Sequence, residues 1–368
     1  MLLTNTYFLV AFNLLAGALL GNILYRSDFC MAGIFRDFFL FRNFSLLRPL
    51  LLLVVLTMVL FSLARLSGLI LVPTPPFFSY PSGATLMGGA VFGIGMVLAG
   101  GCVVSTLYKM AGGNLASMIA FIGMIAGSLL YAEFDGRWEP VKQATVFVRS
   151  IMLSDMTVTG YFLVVVAVAI IAFLAFAQWT RHGKWTRIAY ADSYLQPWKA
   201  AVAIAMLNTA AYILSGWPMS ITTGYAKIGG YLENIFTPAH VAGLRFFNQK
   251  SISLVVSGVH LSGGAAPVPD IVFFTQIPLT IGIVAGAFLT AVRLAEFKIY
   301  GFPPRRQMVS ALVGGVLMAL GSKMAAGCNL TFVLGAVPLL AFQGFLFTAG
   351  MLVGAYAGVQ ALRKFVIP

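Results

Sequence analysis

Three cysteines are the side chains of this sequence with the most chemistry to offer: Cys30 in YRSDFCMAGIFRDF, Cys102 in GMVLAGGCVVSTLYKMAGGN and Cys328 in GSKMAAGCNLTF. They lie too far apart for a CxxC redox pair, a zinc knuckle or a haem-attachment site. Gly100 and Gly101 precede Cys102, while Gly327 precedes and Asn329 follows Cys328, so both thiols stand where an apolar run gives way to a small-residue turn. Such a turn lets backbone N–H groups point at a ligand, and a helix beginning there offers its positive end to an anion. A lone cysteine in an apolar helix is ordinarily a small filler. Here all three fall at predicted interruptions and none within a plain apolar run.

Lys109 and Lys323 lie close in sequence to Cys102 and Cys328 and are candidates for attracting an anion, although a long lysine can equally reach out to a membrane interface. Arg65 and Arg293 read as interfacial anchors. His182, His240 and His260 fall in predicted loops without metal-ligand spacing, so no metal site is expected. Asp28 and Asp37 flank Cys30 among arginines and read as members of local ion pairs.

The elements that hold these residues follow from composition. The 368 residues are 60% hydrophobic and 9% charged, with a mean hydropathy of +0.95, against roughly 25% charged residues in a soluble domain. Nine apolar segments run from 5 to 24, 46 to 72, 84 to 100, 115 to 132, 158 to 179, 198 to 215, 272 to 295, 307 to 321 and 335 to 361. Crossing a bilayer takes about 20 residues. The 84 to 100 and 307 to 321 segments are short and glycine-rich, as expected of helices that break inside a bundle.

The formal charge of +13 is scattered at the ends of apolar runs instead of forming one stripe, which argues against nucleic acid. Arg26, Arg36 and Arg42 form one basic group, and Arg181, Lys184, Arg187 and Lys199 a second. Lys298, Arg305 and Arg306 form a third, and Arg363 with Lys364 a fourth. Nine crossings with the N-terminus outside and the C-terminus inside put all four in the cytoplasm. The first apolar segment lacks the charge and cleavage pattern of a signal peptide and reads as a retained helix. Residues 216–271 then lie outside, with parts folding back into the membrane, and 235–271 carries no assignable role. FRDFFLFRNF and LRFFNQ read as interfacial aromatic belts.

The chain also repeats itself. MGGAVFGIGMVLAGGC (87–102) aligns without gaps on VGGVLMALGSKMAAGC (313–328), matching Gly88 with Gly314, Gly89 with Gly315, Gly95 with Gly321, Gly101 with Gly327 and Cys102 with Cys328. Arg65 corresponds to Arg293, and the pair Gly123/Gly127 to Gly350/Gly354. The division expected is a first repeat over 1–135, a linker with one extra crossing over 136–196, and a second repeat over 197–368. The second repeat then enters from the opposite side, the inverted architecture of many secondary transporters.

RSDFCMAGIFRDF, GMVLAGGCVVSTLYKMAGGN and GSKMAAGCNLTF resemble, in order and spacing, the three cysteine motifs of the YeeE/YedE family of bacterial membrane proteins. The resemblance covers most of the chain. It implies an all-α polytopic bundle of two pseudo-symmetric halves, hourglass-shaped, in the bacterial inner membrane among lipid. It also implies thiosulfate uptake, with Cys30, Cys102 and Cys328 as the substrate relay and a cytoplasmic sulfur carrier of the TusA type as receiver. Family members linked to selenium metabolism leave a selenium or other sulfur species as an alternative substrate. A membrane sulfurtransferase holding a cysteine persulfide is the alternative in another class, disfavoured because no histidine adjoins a cysteine in sequence. No GxxxxGK[ST] loop is present, and no cofactor is expected. A neutral thiol offers one S–H donor and does not repel a dianion, so uncharged, unpaired cysteines suit this task.

Overall fold

The computed structural model describes residues 6–70, 72–183, 185, 193–249, 252–256, 259–299 and 301–366. Lys184 and Arg187 of the second basic group lie outside them. Among the described residues nine helical stretches are long and apolar enough to cross a membrane, and they coincide with the nine segments read from the sequence. The chain is an all-α polytopic membrane protein.

In the first half, α1 (Thr6–Ser27) is followed after a break by α2 (Met31–Phe41), then α3 (Leu47–Leu66). Next, α4 (Gly83–Leu98) breaks and resumes as α5 (Val103–Ala111), and α6 (Leu115–Ala144) returns across the bundle. The short α7 (Leu153–Met156) leads into α8 (Val158–Arg181). The second half repeats this order with α9 (Pro197–Ser215), a break, and α10 (Thr222–Phe236), followed by the short α11 (Pro238–Gly243) and α12 (Arg245–Asn248). A two-stranded antiparallel hairpin, β1 (Ile252–Val256) with β2 (Val259–Gly263), is the sole sheet among the described residues. Then come α13 (Ile271–Arg293), α14 (Arg305–Met324), the short α15 (Asn329–Thr331) continued by a π turn over Phe332–Ala336, and α16 (Phe342–Phe365).

Left-handed residues make the breaks. Asp28 (φ +45°), Gly100 (φ +69°) and Ala326 (φ +66°) each stand two positions ahead of a cysteine, and Gly216 (φ +82°) ends α9. One residue in this conformation terminates a helix and redirects the chain. Gly100 and Gly216 adopt it without steric cost; Asp28 and Ala326 do so against the preference of their side chains.

Glycine sets the packing. A Cβ on Gly88 would strike the Gly321 carbonyl and the Ala325 amide, and one on Gly314 would strike the Gly95 carbonyl and the Ala99 amide, so the α4–α14 crossing is the same contact read from either side. Likewise Gly89 of α4 meets the backbone of Phe347 and Met351 on α16, as Gly315 of α14 meets that of Ala120 and Met124 on α6. Gly17 and Gly21 of α1 interlock with Gly282 and Gly286 of α13. Lipid tails are as apolar as the helices, so association rests on backbones approaching closely enough for dense van der Waals contact. The α4–α14 crossing thus joins Gly88 to Gly321 and Gly95 to Gly314.

The 235–271 stretch closes one end of the bundle. The buried Lys227 ammonium donates to the Val268 carbonyl and pairs with Asp270 Oδ2, both at 2.9 Å. Asp270 in turn caps α13 by accepting from the Phe273 amide and also accepts from the Gly264 amide. The turn before α13 is thereby bolted to α10. Two expectations need correction here. Phe247 of LRFFNQ is buried and Phe246 faces a cavity, so this segment is part of the cover and not an interfacial belt. His240 lies on α11 instead of in a loop, bonded to Glu133 of α6 and near Glu233 of α10; His182 caps α8 and His260 falls in β2.

The α4–α16 seam is tight enough to test by overfilling. A Cβ on Gly354 would collide with the Ala90 carbonyl, so Gly354→Val is expected to lose about 3 kcal/mol or more, seen as a lower unfolding temperature and less monodisperse protein in detergent.

Candidate functional site

Each cysteine caps the helix that restarts after its break. Cys30 caps α2, its Sγ accepting from the Gly33 amide at 3.5 Å. Cys102 caps α5: its amide donates to Ser105 Oγ at 2.6 Å and its carbonyl accepts from Thr106 Oγ1 at 2.9 Å. Cys328 caps α15, with its Sγ 3.7 Å from Thr331 Oγ1. In CMAG, CVVS and CNLT the residue three positions on completes the cap, so thiol orientation is tied to the helix start. All three thiols are buried and free.

The fold brings them together. Cys30 lies near enough to Cys102 and Ser105 for their polar groups to influence one another. Tyr225 of α10 donates to the Val103 carbonyl at 3.2 Å and lies within electrostatic reach of both Cys102 and Cys328. Asn329 lines a small hollow with Cys102, its Nδ2 donating to Met31 Sδ at 2.9 Å and its Oδ1 without a partner. Met31 and Asn329, the neighbours of Cys30 and Cys328 and nearly 300 positions apart, thus meet beside Cys102 in the bundle interior.

Two hollows adjoin these residues. Against the described part of 235–271 lies a cavity of about 390 Å³, lined by Ser220, Thr222, Gln276, Lys323 and by Gly327, the neighbour of Cys328 in sequence. A separate apolar hollow of about 30 Å³ is lined by Cys102, Ser105, Met31, Leu53 and Asn329, room for little more than one water. Beyond Cys30, Tyr108 donates to Asp28 Oδ1 at 2.8 Å and the half-buried Lys109 donates to the Gly100 carbonyl at 3.0 Å.

Lys323 does not reach an interface. It is 9% exposed, donates to the Thr222 carbonyl at 2.9 Å, and lies over the Phe246 ring at 5.8 Å, with no carboxylate in contact. Asp37 pairs with Arg36 at 3.0 Å, as its neighbourhood implied, whereas Asp28 is held by Tyr108 and not by an arginine side chain. The glycines act sterically. A side chain at Gly101 would press on Ser105 Oγ, and one at Gly327 on the Phe332 ring.

The fourth break has no thiol, as its sequence indicated. Ile221 holds the capping position there, and the Gly224 amide, equivalent to that of Gly33, donates instead to Gln276 Oε1 of α13 at 2.8 Å. Sequence reasoning missed Gln276, Tyr225 and Thr222. A glutamine within the apolar run IVFFTQIPLTIGIV was the available signal, since a polar side chain at that depth normally serves a backbone group or a ligand.

Residues 26–357 match the protein family described as sulphur transport. The chain belongs to this family. Among its relatives is the thiosulfate transporter TsuA of Escherichia coli K12, 26% identical over 356 residues, covering 93% of this chain and 92% of the relative. The TsuA of Spirochaeta thermophila is 28% identical over 349 residues, covering 93% and 95%. The probable transporter YedE of Escherichia coli K12 is 23% identical over 174 residues, covering 47% of this chain and 39% of its own length. These relatives are named as transporters, not enzymes.

Access to those thiols should be graded. A small charged thiol reagent added to the native protein from the cavity side is expected to modify Cys328 first and Cys102 far more slowly, with three alkylated thiols found by intact mass after unfolding.

Proposed function

We propose that this protein takes up thiosulfate across a bacterial inner membrane by passing the anion from Cys328 to Cys102 to Cys30 through neutral S–H hydrogen bonds. The observation supporting this reading is that three free, buried thiols stand at the starts of α2, α5 and α15, with Gly327 next to Cys328 lining the large cavity and Cys102 lining the small hollow. Thiosulfate is a dianion with one soft terminal sulfur, and leaving water demands donors that compensate without holding it fast. Lys323 supplies attraction at the cavity floor, where Ser220 and Thr331 hydroxyls stand 3.1 Å apart and Thr222 adds another. From there the donors are thiols, Tyr225 and backbone amides at helix starts. Gly100, Gly101, Gly327 and Asn329 keep the turns beside the thiols open to the ion, and Lys109 receives it at the far mouth.

The direction follows from charge. Arg26 donates to the Ser193 carbonyl and accepts from the Leu195 amide, both at 2.9 Å, which joins the first two basic groups at one end, and Arg48 stacks over Trp179 there at 5.7 Å. Lys298 of the third group meets Gly112 at the same end, past Lys109. The positive-inside rule assigns this end to the cytoplasm and the large cavity to the outside. We place the N-terminus outside and the C-terminus inside, with repeats over 1–135 and 197–368 flanking the 136–196 segment. A TusA-type carrier then collects the product at the basic end.

Uptake of radiolabelled thiosulfate by cells lacking other transporters tests this. Cys102→Ala and Cys328→Ala are expected to abolish uptake at normal membrane expression, and Lys323→Met to weaken apparent affinity roughly ten- to hundredfold, the worth of a charge-assisted hydrogen bond. Undiminished uptake by a variant with all three cysteines changed to Ala would end the relay.

A further inference from the structure

Asp135 is out of place in the wall of an anion's antechamber. It lies on α6, 3% exposed, and lines the large cavity together with Lys323, Glu139 and Lys142. Its carboxylate accepts from Gln249 Nε2 of the cover at 3.3 Å, and Tyr131 stands one turn earlier on the same helix. Gln249 itself follows directly on α12, so the cover and the carboxylate are joined.

The charges facing Asp135 are few. Glu139 and Lys142, on its own helix, stand 3.8 Å apart and largely offset each other. Arg245 of α12 acts on it from the cover, and Lys323 of α14 lines the same cavity. The lining residues from α10 (Thr222, Thr223), from α13 (Val272, Gln276) and from 76–79 carry no charge. A dianion drawn toward Lys323 therefore meets the Asp135 carboxylate in a wall where little water screens the repulsion.

We infer that Asp135 binds a proton from the outside water when the anion occupies the cavity, so that anion and proton bind cooperatively there. This rests on the uptake reading above and adds its regulation by external pH. The protonated carboxyl removes the like charge and offers an O–H donor to a sulfonate oxygen. When the anion moves inward the proton returns to the cavity water. Reciprocity then fixes the sign: if the anion promotes proton binding, protons promote anion binding, and affinity falls as pH rises. Thiosulfate itself does not titrate in the neutral range, so the dependence belongs to the protein.

Calorimetric titration of the full-length protein in detergent with sodium thiosulfate, between roughly pH 5 and 8 and in buffers of differing ionisation heat, tests this. The wild type is expected to take up as much as about one proton per anion, with affinity weakening by up to about tenfold per pH unit. Asp135→Asn should bind with no such slope, and Glu139→Gln should keep it. An Asp135→Asn slope equal to wild type, which would point to Lys323 or a thiol as the proton acceptor, overturns the inference, as does a flat wild-type profile. Should the Asn variant not fold, Asp135→Glu is expected to shift the midpoint of the slope, and an unmoved midpoint counts against the inference. Absence of thiosulfate binding at every pH would overturn the uptake reading itself and this inference with it; binding without a slope overturns the inference alone.

Discussion

A helix broken inside a bilayer exposes backbone N–H and C=O groups that lipid cannot satisfy, and the rest of this structure follows from how those groups are accommodated. Four breaks are present among the described residues, and each has its own polar clamps. Asn208 donates to the Leu334 carbonyl and accepts from the Met219 amide, holding the α9–α10 break against the π turn after Cys328. Gln343 donates to the Ala325 carbonyl and accepts from the Ser79 amide, and Trp138 donates to the Met324 carbonyl, so the α14–α15 break is held from α16 and α6. Ser105 and Thr106 serve Cys102. That last cap is local, whereas Tyr108 of α5 holds Asp28 at the α1–α2 break, and the clamps on the α9–α10 and α14–α15 breaks likewise come from other elements. The site is a product of local caps and tertiary packing together.

The glycine crossings make such clamps reachable. With α4 and α14 in backbone contact through Gly88, Gly95, Gly314 and Gly321, the helix ends at Ala99 and Ala325 are brought against the opposite half. A larger residue at this crossing would force the half-helices apart and disturb the packing around the 30 Å³ hollow beside Cys102.

Much of this was legible in the residues themselves. Nine spans follow from hydropathy, and the α4–α14 correspondence follows from five coincident positions around Cys102 and Cys328. The breaks were legible because glycine and small residues gather before two of the cysteines. What escaped was whatever depends on distant pairing. Gln276 stands in for a thiol only because α13 passes the α9–α10 break, and Lys323 points inward only because Phe246 and the cover close over it. The 235–271 segment looked featureless because its anchor, Lys227 to Asp270, spans 43 positions and involves no recurrent motif. Glu133, Glu233 and His240 likewise meet from three elements, which linear spacing cannot show.

The broken helices recur in the two halves, but the chemistry laid on them differs. At the large cavity, the break that corresponds to that of Cys30 carries Ile221 and Gln276, and the neighbouring groups are Lys323, hydroxyls and Cys328; at the small hollow, Cys30 and Cys102 adjoin each other. On the proposed route, the large cavity offers charge and strong donors in a space of about 390 Å³, whereas the small hollow offers weak S–H donors in a confined one. Such asymmetry cannot drive net flux, because binding energies along a path leave the difference between its two ends unchanged. It decides where the ion dwells. On the proposed route, an ion that dwells beside Lys323 and Asp135 and passes the thiols quickly leaves the small hollow unoccupied most of the time, and the net direction is then set by the difference in ion concentration between the two ends.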